Sequence, residues 1–236
     1  MGITRGYAFA WKEEGFSREE VRPALRRVLA DLALGRQKEH EAQKAMVRTF
    51  ALEAGVPDEL LWEPFLLPGT PAAWACYRPG APWLAVNDNV TECGAREPEL
   101  LLEAADRYAR AFGAPALVCG VYDSGFSTWA YAHPGMRLRV CRLGGWPLEY
   151  FPDCPRERRQ LPEFLCPFLT SEGVAQLEEL WMKRFSREEE RLEGLAALLG
   201  TRLYDRDREA PPAGTELICV QMDKNERTGQ RPDEER

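Results

Sequence analysis

The sequence predicts an α+β protein with a mainly antiparallel sheet of about five to seven strands and helices packed largely on one face. Three successive extended segments between Ala116 and Arg142 are separated by short turns, which force antiparallel pairing. Amphipathic helical patterns occur on both sides of these segments in the chain. The composition, with 44% hydrophobic and 29% charged residues among 236, is typical of a globular protein.

The beginning of the chain predicts one strand followed by helices. Aromatic side chains alternate along residues 6–11, which is typical of a strand. Ser17 and Glu20 form a capping box that predicts the start of an amphipathic helix. Pro23 conflicts with that start, because proline removes a hydrogen bond inside a helix, and it favours a start nearer to itself. A weaker helical pattern covers residues 36–54.

Five strands and one helix are predicted in the middle of the chain. Pro98 and Gly113 bracket the helix, since proline is favoured in a first helical turn and glycine just after the last one. Short runs rich in β-branched, aromatic and small apolar residues mark the strands. They cover residues 73–77, 83–90, 116–122, 126–132 and 136–142.

The last third begins with residues 144–168, where glycine and proline are frequent and a long irregular connection is predicted. Two helices and a final strand follow, at residues 171–183, 187–199 and 216–222. The polar tail, residues 223–236, is predicted to be disordered. The sequence therefore predicts a single α+β domain over residues 1–222, with a subdomain boundary near residues 64–72 as the alternative.

Charge and hydropathy narrow the classes of partner. The net charge is −7, and no segment is strongly basic, so the electrostatic footprint of a nucleic-acid-binding protein is missing. The sequence contains no apolar run typical of a signal peptide or a membrane-spanning helix. These features predict a cytoplasmic protein that binds neither nucleic acid nor membrane. The oligomeric state is left open.

Residues that could carry catalysis are sparse. The seven cysteines are widely spaced and lack the close pairs of zinc sites, so no metal and no cofactor are predicted. Only two histidines are present, and no nucleophile elbow or glycine-rich phosphate-binding motif occurs. No catalytic residue is predicted from the sequence. Whether the protein is an enzyme is left uncertain, and a protein without enzymatic activity is favoured.

Asp88 and Asp123 are the basis of the enzymatic alternative. Each lies at the end of a predicted strand. If those strands are neighbours, the two carboxylates could bind one divalent cation through oxygen ligands. That arrangement would suit a metal-dependent hydrolase or nuclease. Ordinary turn chemistry also explains both aspartates, because Asp-Ser-Gly is a common way to reverse a chain.

A binding surface is the preferred interpretation. Trp129 and Tyr131 share one face of their predicted strand, and exposed aromatic residues on a rigid sheet are favoured anchors for protein partners. An arginine cluster follows in the long connection, at Arg156, Arg158 and Arg159. The alternative is that helices cover the aromatic rings as core. The sequence predicts a non-enzymatic protein-binding module, for example an immunity-like or adaptor protein of a bacterial conflict system.

Four segments also carry a resemblance to a known family. They are residues 122–125 (Tyr-Asp-Ser-Gly), 129–131 (Trp-Ala-Tyr), 149–151 (Glu-Tyr-Phe) and 185–200. This arrangement, over about residues 97–200, resembles a family of uncharacterised bacterial cytosolic α+β proteins. In that family a strand ends in Asp-Ser-Asp, and a later helix follows the pattern F-x-x-E-R…L-L-G. The chain departs from it at Gly125, where the second Asp is missing. The resemblance implies a coherent α+β fold, and the family has no established activity.

Overall fold

The computed structural model describes most of the chain in several stretches. These are residues 5–32, 72–89, 91, 98–122, 125–133, 139–144, 160–183, 185–204 and 213–222. The predicted helical pattern at 36–54, the boundary near 64–72 and the charged tail at 223–236 lie outside the described residues. Among the helices that are described, none has the length and hydropathy needed to cross a membrane.

A seven-stranded sheet forms the centre of the protein. Its strands are β1 (Arg5–Trp11), β2 (Ala72–Tyr77), β3 (Trp83–Asp88), β4 (Ala116–Tyr122), β5 (Phe126–Ala132), β6 (Arg139–Gly144) and β7 (Glu216–Gln221). They lie in the order β6-β5-β4-β1-β3-β2-β7, and every neighbouring pair is antiparallel. The predicted α+β class with a mainly antiparallel sheet is therefore confirmed.

The meander β4-β5-β6 pairs as its short turns require. Cys119 of β4 lies opposite Trp129 of β5, which lies opposite Cys141 of β6. The first strand of the chain, β1, lies between β4 and β3, with Phe9 opposite both Leu117 and Ala85. The N-terminal strand thus joins the meander to the hairpin β2-β3 in one continuous sheet.

Helices cover both faces of this sheet. They are α1 (residues 18–32), α2 (Pro98–Phe112), α3 (Gln160–Leu165), α4 (Ser171–Met182) and α5 (Glu188–Leu198). One buried cluster joins α1 and α2 to the face of the sheet that carries Ala8, Leu84 and Val118. A second cluster joins α3, α4 and α5 to the opposite face, which carries Phe9 and Trp129. The expectation of helices largely on one face is corrected, because the alternating strands are apolar on both faces and each face needs a cover.

Helix α1 begins at its capping box and not at Pro23. The hydroxyl oxygen of Ser17 accepts a hydrogen bond from the backbone N–H of Glu20 at 3.3 Å, as an N-cap does. Pro23 lies on the exposed side of the helix. The carbonyl that loses its partner belongs to Glu19, which is also exposed, so water can replace the missing bond. The later start that Pro23 favoured is wrong.

The predicted irregular connection at 144–168 also contains regular structure. Helix α3 and a 3-10 turn, Cys166–Phe168, occupy its described end. Phe164 is buried and its ring stacks on Tyr131 with the centroids 4.3 Å apart. The glycine-rich and proline-rich composition suggested a loop, but Pro is tolerated in the first turn of a helix, and this short helix packs its aromatic side chain on the sheet.

Candidate functional site

The aromatic face predicted as a binding surface is part of the core. Trp129 is 0% exposed and Tyr131 is 4% exposed. The ring of Trp129 contacts that of Trp181 on α4 edge to face, with centroids 5.3 Å apart. Helices α3 and α4 cover the two residues, so neither can contact a partner in this fold. The alternative that the rings are core is the correct one.

A buried polar network lies beside Trp129. The indole N–H of Trp129 donates to the Ser127 hydroxyl, and that hydroxyl donates to Glu188 on α5, both at 2.8 Å. The Arg191 guanidinium pairs with the same carboxylate at 2.9 Å. All four side chains are buried. Each donor has an acceptor inside the protein, so the network anchors α5 to β5.

Arg191 also closes the C-terminal end of α4. Its guanidinium donates to the backbone carbonyl oxygens of Leu180, Trp181 and Lys183 at 2.7–2.8 Å. Carbonyl groups in the last turn of a helix have no partner within the helix, and a cation there is favourable. One side chain therefore joins the end of one helix, the beginning of the next and the sheet.

Asp88 is buried and engaged in hydrogen bonds. It is 0% exposed, and its carboxylate accepts from the Tyr108 hydroxyl at 2.8 Å and from the backbone N–H of Thr91. These contacts join the end of β3 to helix α2. A carboxylate that is held in this way stabilises the fold and has no surface on which to meet a partner.

The strands that end in the two candidate aspartates are not neighbours. Strand β1 lies between β3 and β4, which places Asp88 about 10 Å from β4 in the direction of the hydrogen bonds. Asp123 lies outside the described residues, as do Arg156, Arg158 and Arg159. Within the part of the chain that is described, no group of three or more His, Cys, Asp or Glu side chains is suited to hold a metal ion. The geometry gives the hydrolase alternative no support.

The ionisation of the Tyr108 hydroxyl is expected to lower the stability of the protein at alkaline pH. Burial, and then the charge of Asp88, raise the pKa of its hydroxyl well above the usual value. In the unfolded chain the same group ionises near pH 10. The stabilisation is therefore complete below about pH 10 and is lost as the pH rises toward the higher folded pKa, because the unfolded state then binds fewer protons.

The variant Tyr108→Phe tests this linkage. At pH 8 we expect it to be less stable by about 1.5–3 kcal/mol, because a buried carboxylate loses a donor. Between pH 8 and pH 11 we expect the gap to wild type to narrow by about 1.4 kcal/mol, the linkage of one ionising group over one pH unit. Urea unfolding at the two pH values measures both quantities. An equal gap at pH 8 and pH 11 would contradict the assignment.

Strand β7 is, with β6, one of the two edge strands of the described sheet. It stands at the end of the strand order and pairs only with β2 among the described strands. Its side chains at Ile218 and Val220 are buried, whereas those at Glu216, Cys219 and Gln221 are exposed. The sequence predicted this strand but not its position at an edge. Its sequence, four consecutive apolar residues between Glu216 and Gln221, gave no signal of an edge.

The backbone direction along β7 follows from one hydrogen bond and the register. The N–H of Asn89 in the turn after β3 donates to the carbonyl of Ala72 at 3.2 Å, so Ala72 directs its backbone groups toward β3. Along an antiparallel strand, the backbone N–H and C=O groups of successive residues point alternately to the two sides. Those of Ala73 and Ala75 therefore point toward β7. Their partners in β7 by register are Val220 and Ile218. The intervening residues Leu217, Cys219 and Gln221 therefore direct their N–H and C=O groups away from the sheet.

Comparisons with known proteins add no family to this description. The chain matches no protein-family model, no curated protein and no solved structure. The resemblance described for residues 97–200 therefore stays an expectation.

Proposed function

We propose that this chain is a non-enzymatic protein-binding module that receives an extended segment of its partner along the outer edge of β7. The observation that carries the proposal is the outward direction of the backbone N–H and C=O groups at Leu217, Cys219 and Gln221. Such groups form the hydrogen bonds by which a peptide adds a strand to a sheet.

The composition of β7 supports this use of the edge. Sheet edges that must avoid pairing usually carry lysine, proline or a bulge. Strand β7 reads Glu-Leu-Ile-Cys-Val-Gln, with neither lysine nor proline, and its register with β2 is continuous over six pairs. Its inner side is fixed to the core through Ile218 and Val220. Within the described part of the chain no other strand pairs with the outer side of β7, so that side is suited to recognise an extended peptide.

A narrower form of the proposal is an immunity-like or adaptor protein of a bacterial conflict system. The acidic net charge of −7 and the lack of catalytic motifs in the sequence support it. The genes beside this one provide a test. A neighbouring toxin-like gene would agree with the narrower form, whereas a metabolic operon would contradict it and favour an enzyme.

The variant Cys219→Pro tests the binding edge. Proline lacks the N–H that Cys219 directs outward, and it is tolerated at an edge where that N–H makes no ladder bond. Peptides selected by the wild-type chain from a displayed library of random sequences are the probe. We expect Cys219→Pro to weaken their binding about tenfold, because it removes one hydrogen bond and obstructs the added strand. Isothermal titration calorimetry measures the dissociation constants.

Cys219→Val is the matched control, because it changes the same side chain, keeps the N–H and suits a strand. We expect it to bind as the wild type does. Amide hydrogen exchange of the wild type should show protection of Leu217, Cys219 and Gln221 when peptide is added. Selected peptides that bind Cys219→Pro as tightly as Cys219→Val, or that leave these amides unprotected, would overturn the proposal.

A further inference from the structure

A row of arginines follows the exposed side of α1. Arg18, Arg22 and Arg26 are spaced by four residues, so they lie on one face of the helix, and all three are exposed. Within the described part of the chain, none of the three forms an ion pair. We call these three residues the arginine row. In a chain with a net charge of −7, a local surplus of positive charge at this place favours an acidic partner.

The arginine row lies beside the edge strand β7. The inner side of α1 shares a buried cluster with Ile218 and Val220 of β7. Arg22 acts on the thiol of Cys219: partial burial raises the pKa of that thiol, and the charge of Arg22 opposes the rise. The charge of Arg18 likewise opposes the rise that burial causes in the pKa of the Tyr77 hydroxyl. On the other flank of α1, Arg27 donates to the backbone carbonyl of Ala111 in α2 at 3.3 Å, and α2 lies over β1, β4 and β5. The flank of α1 that carries Arg22 and Arg26 therefore faces the β7 side of the sheet.

The two ends of this edge differ in charge. Near the beginning of β7, the Tyr77 hydroxyl donates a hydrogen bond to Glu216 at 2.9 Å. Burial, this hydrogen bond and the charges of Glu216 and Glu19 raise the pKa of Tyr77 to about 12, and the charge of Arg18 opposes the rise. Glu20 faces Lys12 at 3.1 Å and is neutralised by it. Among the described residues of this side, the unbalanced positive charge therefore lies at Arg22 and Arg26.

On the opposite side of the β7 edge, the side chains of the strand itself are uncharged. Burial raises the pKa of the thiol of Cys76, the partner of Leu217, and the charge of Arg202 opposes that rise, so one arginine is near this side as well. Leu217, Cys219 and Gln221 alternate with the core residues and therefore belong to the sheet face away from α1. Leu217 is half-buried, and Cys219 and Gln221 are exposed. A strand added next to β7 would direct alternate side chains to these two sides. One set would meet the arginine row and the other set would meet an uncharged, partly apolar strip.

We infer that the partner segment is an extended acidic peptide in which carboxylates alternate with apolar residues, the carboxylates facing Arg22 and Arg26. This inference rests on the proposed function, and it adds the chemistry of the partner. An edge with outward backbone groups pairs with a peptide backbone, which a nucleic acid does not have. The arginine row alone would suit a phosphate backbone, so a nucleic acid is an outcome that the experiment must separate.

The experiment compares three synthetic peptides of about eight residues, a length that covers β7. One alternates Asp with Val, one alternates Ser with Val and one alternates Lys with Val. A mixed-sequence single-stranded oligonucleotide is the fourth probe. We expect the Asp peptide to bind about tenfold more tightly than the Ser peptide, since two or three exposed charge pairs each contribute up to about 1 kcal/mol. We expect the Lys peptide to bind more weakly than both.

Charge reversal identifies the residues. We expect Arg22→Glu to weaken binding of the Asp peptide about tenfold and to strengthen binding of the Lys peptide. Arg110→Glu is the matched control, because this arginine is 72% exposed on α2, away from β7, and undergoes the same charge change. We expect it to leave both affinities within about twofold of the wild type. Higher salt should reduce the difference between the Asp and Lys peptides.

Each outcome has a distinct meaning. Equal binding of the three peptides, with protection of the β7 amides, would overturn the acidic partner and leave the proposed edge recognition standing. Peptides that bind without protection of β7, or that do not bind at all, would contradict edge recognition itself. Oligonucleotide binding that is lost in Arg22→Glu, without binding of the Asp peptide, would assign the arginine row to a nucleic acid and overturn the inference.

Discussion

Replacing Arg191 with methionine is expected to lower the free energy of unfolding by about 3–5 kcal/mol. Arg191 is 3% exposed, and its partner Glu188 is 2% exposed. Without the guanidinium, a buried carboxylate loses its counter-charge and the last carbonyls of α4 lose their donors. Methionine fills a similar volume, so the loss of polar contacts dominates over the loss of packing.

Equilibrium urea unfolding measures this effect, and two further variants interpret it. Arg187→Met changes the same residue type at the exposed start of α5, and a loss below about 1 kcal/mol is expected there. The double variant Glu188→Leu with Arg191→Met removes both charges. We expect it to recover part of the stability, because a buried pair is costly mainly when one member is left alone. A double variant less stable than Arg191→Met alone would contradict that explanation.

The strands were predictable from sequence because their signal is local. Alternation of apolar residues and short turns marks β4 and β5, and their predicted bounds, residues 116–122 and 126–132, agree with the structure. The order of the strands was not predictable in the same way. That β1 lies between β3 and β4 depends on contacts between residues far apart in the chain. The enzymatic alternative assumed that β3 and β4 are neighbours, and that assumption is wrong.

The buried network at α5 was missed for a related reason. Residues 188–191 read Glu-Glu-Glu-Arg, a charge run that normally indicates a solvated helix face. Glu188 and Arg191 are nevertheless buried. They are three residues apart and so share one face of the helix, and Ser127 of β5 meets that face. Only the three-dimensional position of β5 shows that these charges are inside.

For the candidate binding site, the sequence pointed to the wrong residues. Trp129 and Tyr131 were predicted to bind a partner because aromatic residues are frequent in interfaces, but such residues are also frequent in cores. No binding role was predicted for strand β7 or the arginine row, although the spacing of Arg18, Arg22 and Arg26 by four residues was visible in the sequence. A spacing indicates a helix face, whereas its position beside a sheet edge requires the folded structure.

The variant Trp129→Ala separates the core role of this residue from a recognition role. We expect it to lower the free energy of unfolding by about 3–5 kcal/mol, because it opens a cavity between β5 and α4 and leaves the Ser127 hydroxyl without a donor. Trp11→Ala, at a half-buried tryptophan that packs on Phe168, should cost less. Urea unfolding measures both losses, and similar losses would contradict the assignment of Trp129 to the centre of the core.

Peptide binding completes this test. Strand β5 stands five strand positions from β7, which is about 24 Å along the sheet. We therefore expect folded Trp129→Ala, measured well below its unfolding temperature, to bind edge-selected peptides within about twofold of the wild type. If the variant keeps wild-type stability and loses peptide binding, Trp129 is a contact residue and its assignment to the core is wrong. If it loses stability and keeps binding, recognition belongs to the distant edge, and the aromatic residues of β5 act by holding the sheet rigid beneath it.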